Sequence, residues 1–305
     1  MHASSRRVLE IAARIGAVFA LHVLLYGALL RAGIAAGELP APSEPWRVPR
    51  SLVAVALLNS IVFSCLILRA RERSEQLGWL LGLAFFGGHT VLGRIDSVAF
   101  PHVSRVTSEL PVPPFVLNAV FTLLFVPLAL AILHGGIASP SEVHEPRLAR
   151  RSVRAWVFRL IGGLVVHQVV FVAAGYWLAR VSLQPPDSAA IVAELEHVLR
   201  DAPWLPGLQV VRGLLWIALS LPLIRMLTGP LWETSLALGV FWAVVSSGEL
   251  GLLASHSLDF VSRRYLLLFA AANFVAGALL GAVLRTGRAA RADRPGLPDV
   301  ILYRS

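Results

Sequence analysis

Apolar residues fall in eight separate runs along the chain, near 10–30, 51–69, 77–97, 113–134, 156–178, 207–225, 230–252 and 265–284. Each is close to the roughly 20 residues that a helix needs to cross a bilayer core. Polar, Pro-rich or Arg-bearing segments separate them. The pattern predicts an all-α integral membrane protein of about eight transmembrane helices, with residues 1–305 forming a single polytopic membrane domain. Eight spans and their connections use nearly the whole length, so no separate soluble domain is expected. Arg6 and Arg7 precede the first run, and Ala35, Ala36 and Gly37 follow it, as in a signal peptide. Its apolar core is too long for one and is interrupted by His22, so a retained helix is expected.

Composition agrees with this pattern. Hydrophobic residues make up 56% and charged residues 15%, against about 25% charged in soluble domains. Mean hydropathy is +0.71. The net charge is +9, and all 27 basic residues are Arg. Such a balance can mark a nucleic-acid partner, but these arginines are dispersed at segment ends instead of interleaved with aromatics on one polar face. Nucleic acid is therefore excluded as a partner, and the lipid bilayer is the expected one. Lys-free, Ala- and Leu-rich usage points to a high-GC bacterial source and hence to a bacterial inner (plasma) membrane location. The single cysteine, Cys65, rules out an intrachain disulfide, a CxxC redox pair and a cysteine-rich metal site.

Arg placement sets the expected orientation. Arg6 and Arg7, then Arg69, Arg71 and Arg73, then Arg147, Arg150, Arg151 and Arg154, then Arg225, then Arg285, Arg288, Arg291 and Arg294 all fall on one side of an eight-span arrangement. By the positive-inside rule that side, with both termini, is cytoplasmic, and 286–305 is a basic cytoplasmic tail. The opposite connections, 38–49, 101–114 and 184–206, are longer and rich in Pro. Within the last, 189–199 reads as an amphipathic helix along the outer surface, with Ile191, Leu195, Val198 and Leu199 on one side.

The chain also reads as duplicated. At an offset of 145, His22 falls on His167, Arg14 on Arg159 and Tyr26 on Phe171. Arg69 matches Arg225 at 156, Gly82 matches Gly239 at 157, and Asn118 matches Asn273 at 155. The jump in offset is about the extra length of the outer connection after the fifth run. Two halves, 1–145 and 146–290, with four helices each would enter from the same side and be related by a two-fold axis along the membrane normal.

Ionisable groups at membrane depth cost about 2.5–3.5 kcal/mol each on insertion scales, so each invites a functional question. His22 and His167 lie near mid-span at matching places. If they face each other, they can ligate a haem, relay protons or bond a substrate. The plainer alternative is that each neutral imidazole bonds a neighbouring helix. Towards the outer ends lie His89, Arg94 and Asp96 on the third run, Arg212 on the sixth and Glu249 on the seventh. An Arg212–Glu249 ion pair is the expected partnership. With His256, Asp259, Arg105 and Glu109, this set can line an outward-facing polar cavity, although the loop members can equally snorkel to water. Glu233 suits the first turn of its helix. Pro127 and Pro222 permit kinks, and Trp46, Trp79, Trp156, Trp177, Trp204 and Trp232 form an interfacial belt.

Two resemblances are partial. The four-plus-four layout resembles the architecture of haem A synthases. Their histidines lie on the second and fourth helix of each half, whereas His22 and His167 lie on the first, so the axial-ligand roles do not carry over. Val211-Arg212-Gly213-Leu214-Leu215, with Phe85 and His89 four apart, is similar to intramembrane proteases of the prenyl-protein processing type. Those carry paired glutamates just before the Arg-Gly, where this chain has Gly207 and Leu208, so protease activity is excluded. No HExxH, GxSxG, Walker A or EF-hand pattern occurs. The substrate-binding candidates are thus His22, His167, His89, Arg94, Asp96, Arg212 and Glu249, with no metal site expected and haem as the candidate cofactor. The leading expectation is a small-solute or lipid-related permease. A haem- or quinone-linked redox protein using His22 and His167, and a non-catalytic component of a membrane complex, are the alternatives.

Overall fold

Long runs of Leu, Val, Ala and Phe satisfy their backbone polar groups within a helix, the one solution open to a single segment surrounded by lipid. The computed structural model of the protein describes residues 3–37, 47–70, 75–93, 95, 113–134, 152–182, 196–197, 200–227, 229–254 and 260–285. Helices occupy each predicted run: α1 (Ala3–Ala35), α2 (Arg47–Leu68), α3 (Glu75–Phe86), α4 (Pro113–His134), α5 (Val153–Ser182), α6 (Leu205–Met226), α7 (Leu231–Ala254) and α8 (Phe260–Arg285). Among the described residues α1, α4, α5, α6 and α8 carry segments long and apolar enough to cross a membrane, while α2 and α7 carry shorter apolar segments, Leu52–Leu68 and Leu231–Ser247. The chain is therefore a multi-pass, all-helical membrane protein. The proposed surface helix at 189–199 lies outside the described residues apart from 196–197, as do the tail at 286–305 and the loop residues Arg105, Glu109, His256 and Asp259.

The third run departs from expectation. Regular α-helix stops at Phe86 and gives way to a π-turn, Gly87–Val91, in which the Leu92 N–H donates to the Gly87 carbonyl. Such turns insert one extra residue into a helix and redirect the side chains that follow. The turn is closely packed. A Cβ on Gly87 would lie 2.6 Å from Leu219 of α6, and one on Gly88 would lie 2.9 Å from Trp242 of α7.

Packing follows a regular scheme. Among the main contacts, α1 meets α2 and α4, while α4 also meets α2 and α3. Further along the chain, α5 meets α6 and α8, while α8 also meets α6 and α7. The two sets join where α2 packs on α7 and α3 packs on α6, with the π-turn seated against α6 and α7. The closest approach is that of α7 and α8. A Cβ on Gly239 would be 2.8 Å from the Phe274 carbonyl, and one on Gly277 2.8 Å from the Leu238 carbonyl. Small residues at such crossings let backbones touch where no hydrophobic drive separates helix from lipid. Facing outward, α5 exposes Val157, Ile161, Val165, Val169 and Val172, an apolar stripe suited to acyl chains.

The Arg-bearing ends are knitted by long-range polar contacts. Arg14 donates to the carbonyls of Ile132 (3.3 Å) and Leu133 (3.0 Å) at the end of α4. Arg159, its counterpart at an offset of 145, donates to the Leu284 carbonyl at the end of α8 (3.5 Å). Both cover carbonyls that a helix C-terminus leaves without intrahelical partners. Glu233 is more than a first-turn carboxylate, because it accepts an ion-paired hydrogen bond from Arg69, just past the end of α2. Trp79, Trp177, Trp204 and Trp232 are exposed near helix ends, as an interfacial belt requires.

Candidate polar site between the helices

The helix faces that pack inward carry polar side chains as well as Leu and Phe. His22, His89 and His167 are all buried, as are Asn59, Ser60, Ser64, Asn118, Arg212 and Asn273. In α2 this follows from the spacing of Ala56, Asn59, Ser60, Phe63, Ser64 and Ile67, which places small and polar groups on the face that meets its neighbours. Leu57, Leu58 and Ile61 occupy the exposed face.

His22 and His167 occupy separate aromatic nests. The His22 ring meets Phe121 at 4.8 Å and Phe125 at 4.9 Å, both edge-on, and both phenyl rings come from α4. Tyr26, one turn along α1, closes the nest by meeting Phe121 at 5.2 Å. Phe85 packs on Phe121 at 6.2 Å and on His89 of the π-turn at 5.5 Å, so His22 and His89 border one aromatic cluster. His167 stacks on Phe171 of its own helix at 5.4 Å and meets Trp216 of α6 at 5.5 Å. No ring contact joins His22 to His167, and α1 and α5 are not among the main packing pairs.

Arg212 lies seven residues into α6 and is fully buried. Its guanidinium carbon sits 3.7 Å over the Phe171 ring and 6.0 Å from Trp216. A guanidinium is weakly hydrated and stacks on aromatic faces, which offsets part of the cost of its depth. Gly213 makes room beside it, since a Cβ there would meet His167 Nδ1 at 3.1 Å. Arg94, Asp96 and the side chain of Glu249 lie outside the described residues, and with them the expected Arg212–Glu249 pair.

Sequence reasoning missed the link between these nests. Trp216 and Trp242 stack at 4.3 Å with their planes 21° apart, and the Trp242 indole N–H donates to the Ser220 hydroxyl at 2.9 Å. The available signal was position, because these two tryptophans fall mid-run, away from the interfacial belt. Asn59, Ser60 and Ser64 were also passed over, being uncharged.

The site holds hydrogen-bonding capacity in excess of its internal bonds. Among the described residues, both ring nitrogens of His167, the Asn59 amide nitrogen and oxygen, and the hydroxyls of Ser60 and Ser64 are buried without a hydrogen-bond partner. Leaving such a group unsatisfied costs about 1–3 kcal/mol. Among the described residues no group of three or more His, Cys, Asp or Glu side chains could hold a metal ion. Chemically the arrangement suits binding of a polar group by hydrogen bonds and aromatic contact. Comparison with known protein families, curated proteins and solved structures gives no match.

Proposed function

We propose that the chain is a permease for a small polar solute or lipid-derived molecule in a bacterial inner membrane. Eight spans form two parallel four-helix halves, both termini are cytoplasmic, and a polar cavity opens outward between the halves. One observation carries this reading: buried hydrogen-bonding groups without internal partners lie at mid-helix in both sets of four helices. Corresponding packing supports the duplication. The contacts of α1 with α2 and α4, of α2 with α4, and of α3 with α4 recur as α5 with α6 and α8, α6 with α8, and α7 with α8, while α2–α7 and α3–α6 are each other's equivalents. His22, Tyr26 and Arg14 share surroundings of the same kind with His167, Phe171 and Arg159. The ring contact of α6 with α7, Trp216 on Trp242 at 4.3 Å, likewise has an α2–α3 counterpart in Phe63 against Phe85 at 4.8 Å, edge-on where the tryptophans stack. In this reading His22, His167, His89 and Arg212, with Arg94, Asp96 and Glu249, form the substrate-binding set.

The test is flux in liposomes reconstituted with purified protein and loaded with a panel of amino acids, sugars, organic acids and lysophospholipids. His167→Ala and Asn59→Ala should each abolish any protein-dependent flux while the protein still elutes as a single species. If no member of the panel moves, or if flux is indifferent to both substitutions, the permease reading fails. Alternating reporter fusions at the helix connections test the eight-span topology independently. A second reading, a non-catalytic component whose polar residues join helices, is favoured by the Gln168 Nε2 bond to the Gln209 carbonyl at 2.9 Å and by the Trp242–Ser220 bond. It predicts that polar substitutions change stability alone.

A further inference from the structure

We propose that the contacts joining the Arg-bearing ends of α2, α6 and α7 form a releasable clamp between the two sets of four helices. The inference deepens the permease reading and rests on it. Three observations place the clamp. Arg69, just past the end of α2, donates to Glu233 in the first turn of α7. One residue on, Ala70 forms an isolated antiparallel bridge with Leu227, just past the end of α6. Gly229 then turns at φ +124°, a conformation rarely open to other residues, and a Cβ there would lie 2.8 Å from Glu233 Oε2. Arg285 braces the same turn by donating to the carbonyls of Gly229 and Pro230.

The strength of these contacts marks them as releasable. The Arg69 and Glu233 side chains are 53% and 23% exposed, so water screens the pair and can replace both of its ends. An isolated bridge gains none of the support of a continuing ladder. Within the second set, by contrast, α7 and α8 meet backbone to backbone through Gly239 and Gly277 and have no slack. Within the adjoining turns, Ile67, Leu223 and Met226 are buried in the apolar core, and release of the clamp would open them to water. Along the same seam, Leu219, Trp242 and Val245 seat closely against Gly87 and Gly88 of the π-turn.

The experiment uses the full chain in phosphatidylethanolamine–phosphatidylglycerol liposomes, carrying Cys65→Ser and a reporter cysteine at Ile67→Cys. The rate of labelling by a membrane-impermeant maleimide is then measured. Arg69→Ala and Glu233→Gln should each raise that rate by about two- to fivefold, the range set by an ion pair partly in water. The charge swap Arg69→Glu with Glu233→Arg should return it to the starting value, a rescue that misfolding would not give. Oxidising Ala70→Cys with Leu227→Cys should lower labelling below the starting rate. Labelling that ignores both the single substitutions and the cross-link would overturn the clamp. Flux that survives the cross-link would do the same while leaving the permease reading intact. Labelling that responds as expected, with no flux for any solute, would defeat the permease reading and leave the clamp as a conformational device of another kind.

Discussion

The Trp242–Ser220 bond offers a sharp test of how polar contacts act inside this bundle. Trp242 stacks on Trp216 at 4.3 Å, and its indole N–H reaches Ser220 at 2.9 Å, with both residues fully buried. Trp242→Phe keeps a ring in the stack but removes the donor and leaves a void where the second ring was. Aromatic pairing contributes about 0.5–1.5 kcal/mol beyond area burial, and a phenyl ring keeps part of that. Interhelical hydrogen bonds in membranes contribute about 0.6 kcal/mol on average and reach about 1.7. Together with the void, Trp242→Phe is expected to destabilise by about 1.5–3 kcal/mol. Ser220→Ala, which orphans the indole N–H with little change of volume, should cost about 1 kcal/mol. The double variant isolates the bond: its cost should fall short of the two single costs combined by about 1 kcal/mol. Equilibrium unfolding in mixed micelles at several denaturant fractions measures all four proteins. A coupling within about 0.3 kcal/mol of zero, the usual noise of additivity, would refute the claim that this bond joins α6 to α7.

Other expectations follow from the same contacts. Gly277→Leu, placed against the Leu238 carbonyl, should destabilise by about 1–3 kcal/mol or more, whereas Gly16→Leu, with open space around its Cβ position, should change unfolding by less than about 0.5 kcal/mol. Gly229→Ala should cost about 1–3 kcal/mol through its strained φ, and because the new methyl group displaces Glu233, adding Glu233→Gln to it should cost little more. Arg14→Ala should cost about 1 kcal/mol by freeing the α4 carbonyls, and increased amide exchange should be confined to residues 130–134. Finally, protein purified from a haem-replete host should lack a Soret band, since His22 and His167 lie in separate nests. A Soret band that disappears in His22→Ala would show that the nests rearrange to accept haem.

The helices were legible because a long apolar segment announces itself locally, and five of those described are long and apolar enough to cross a membrane. Burial of His22, His167 and Arg212 was legible for the same reason, since a polar residue in mid-run must find shelter from lipid. Their neighbours were not. Glu233 reads from sequence as a helix-dipole carboxylate, yet its partner Arg69 stands 164 residues away. Nothing in the local pattern distinguishes the face of α2 that meets α7 from the face that meets lipid until both helices are in place. Trp242 reads as one more apolar residue until α6 brings Ser220 and Trp216 against it.

Sequence by itself determined the all-helical membrane class of the molecule and the position of each helix, because hydrophobic matching to a bilayer is a property of single segments. Tertiary structure alone decided that the third helix ends in a π-turn, that the two central histidines occupy separate aromatic nests, and that the Arg-bearing ends are clamped across the seam. Those features depend on which side chains of different helices compete for the same space, and a helix surface gains that information only from the helix packed against it.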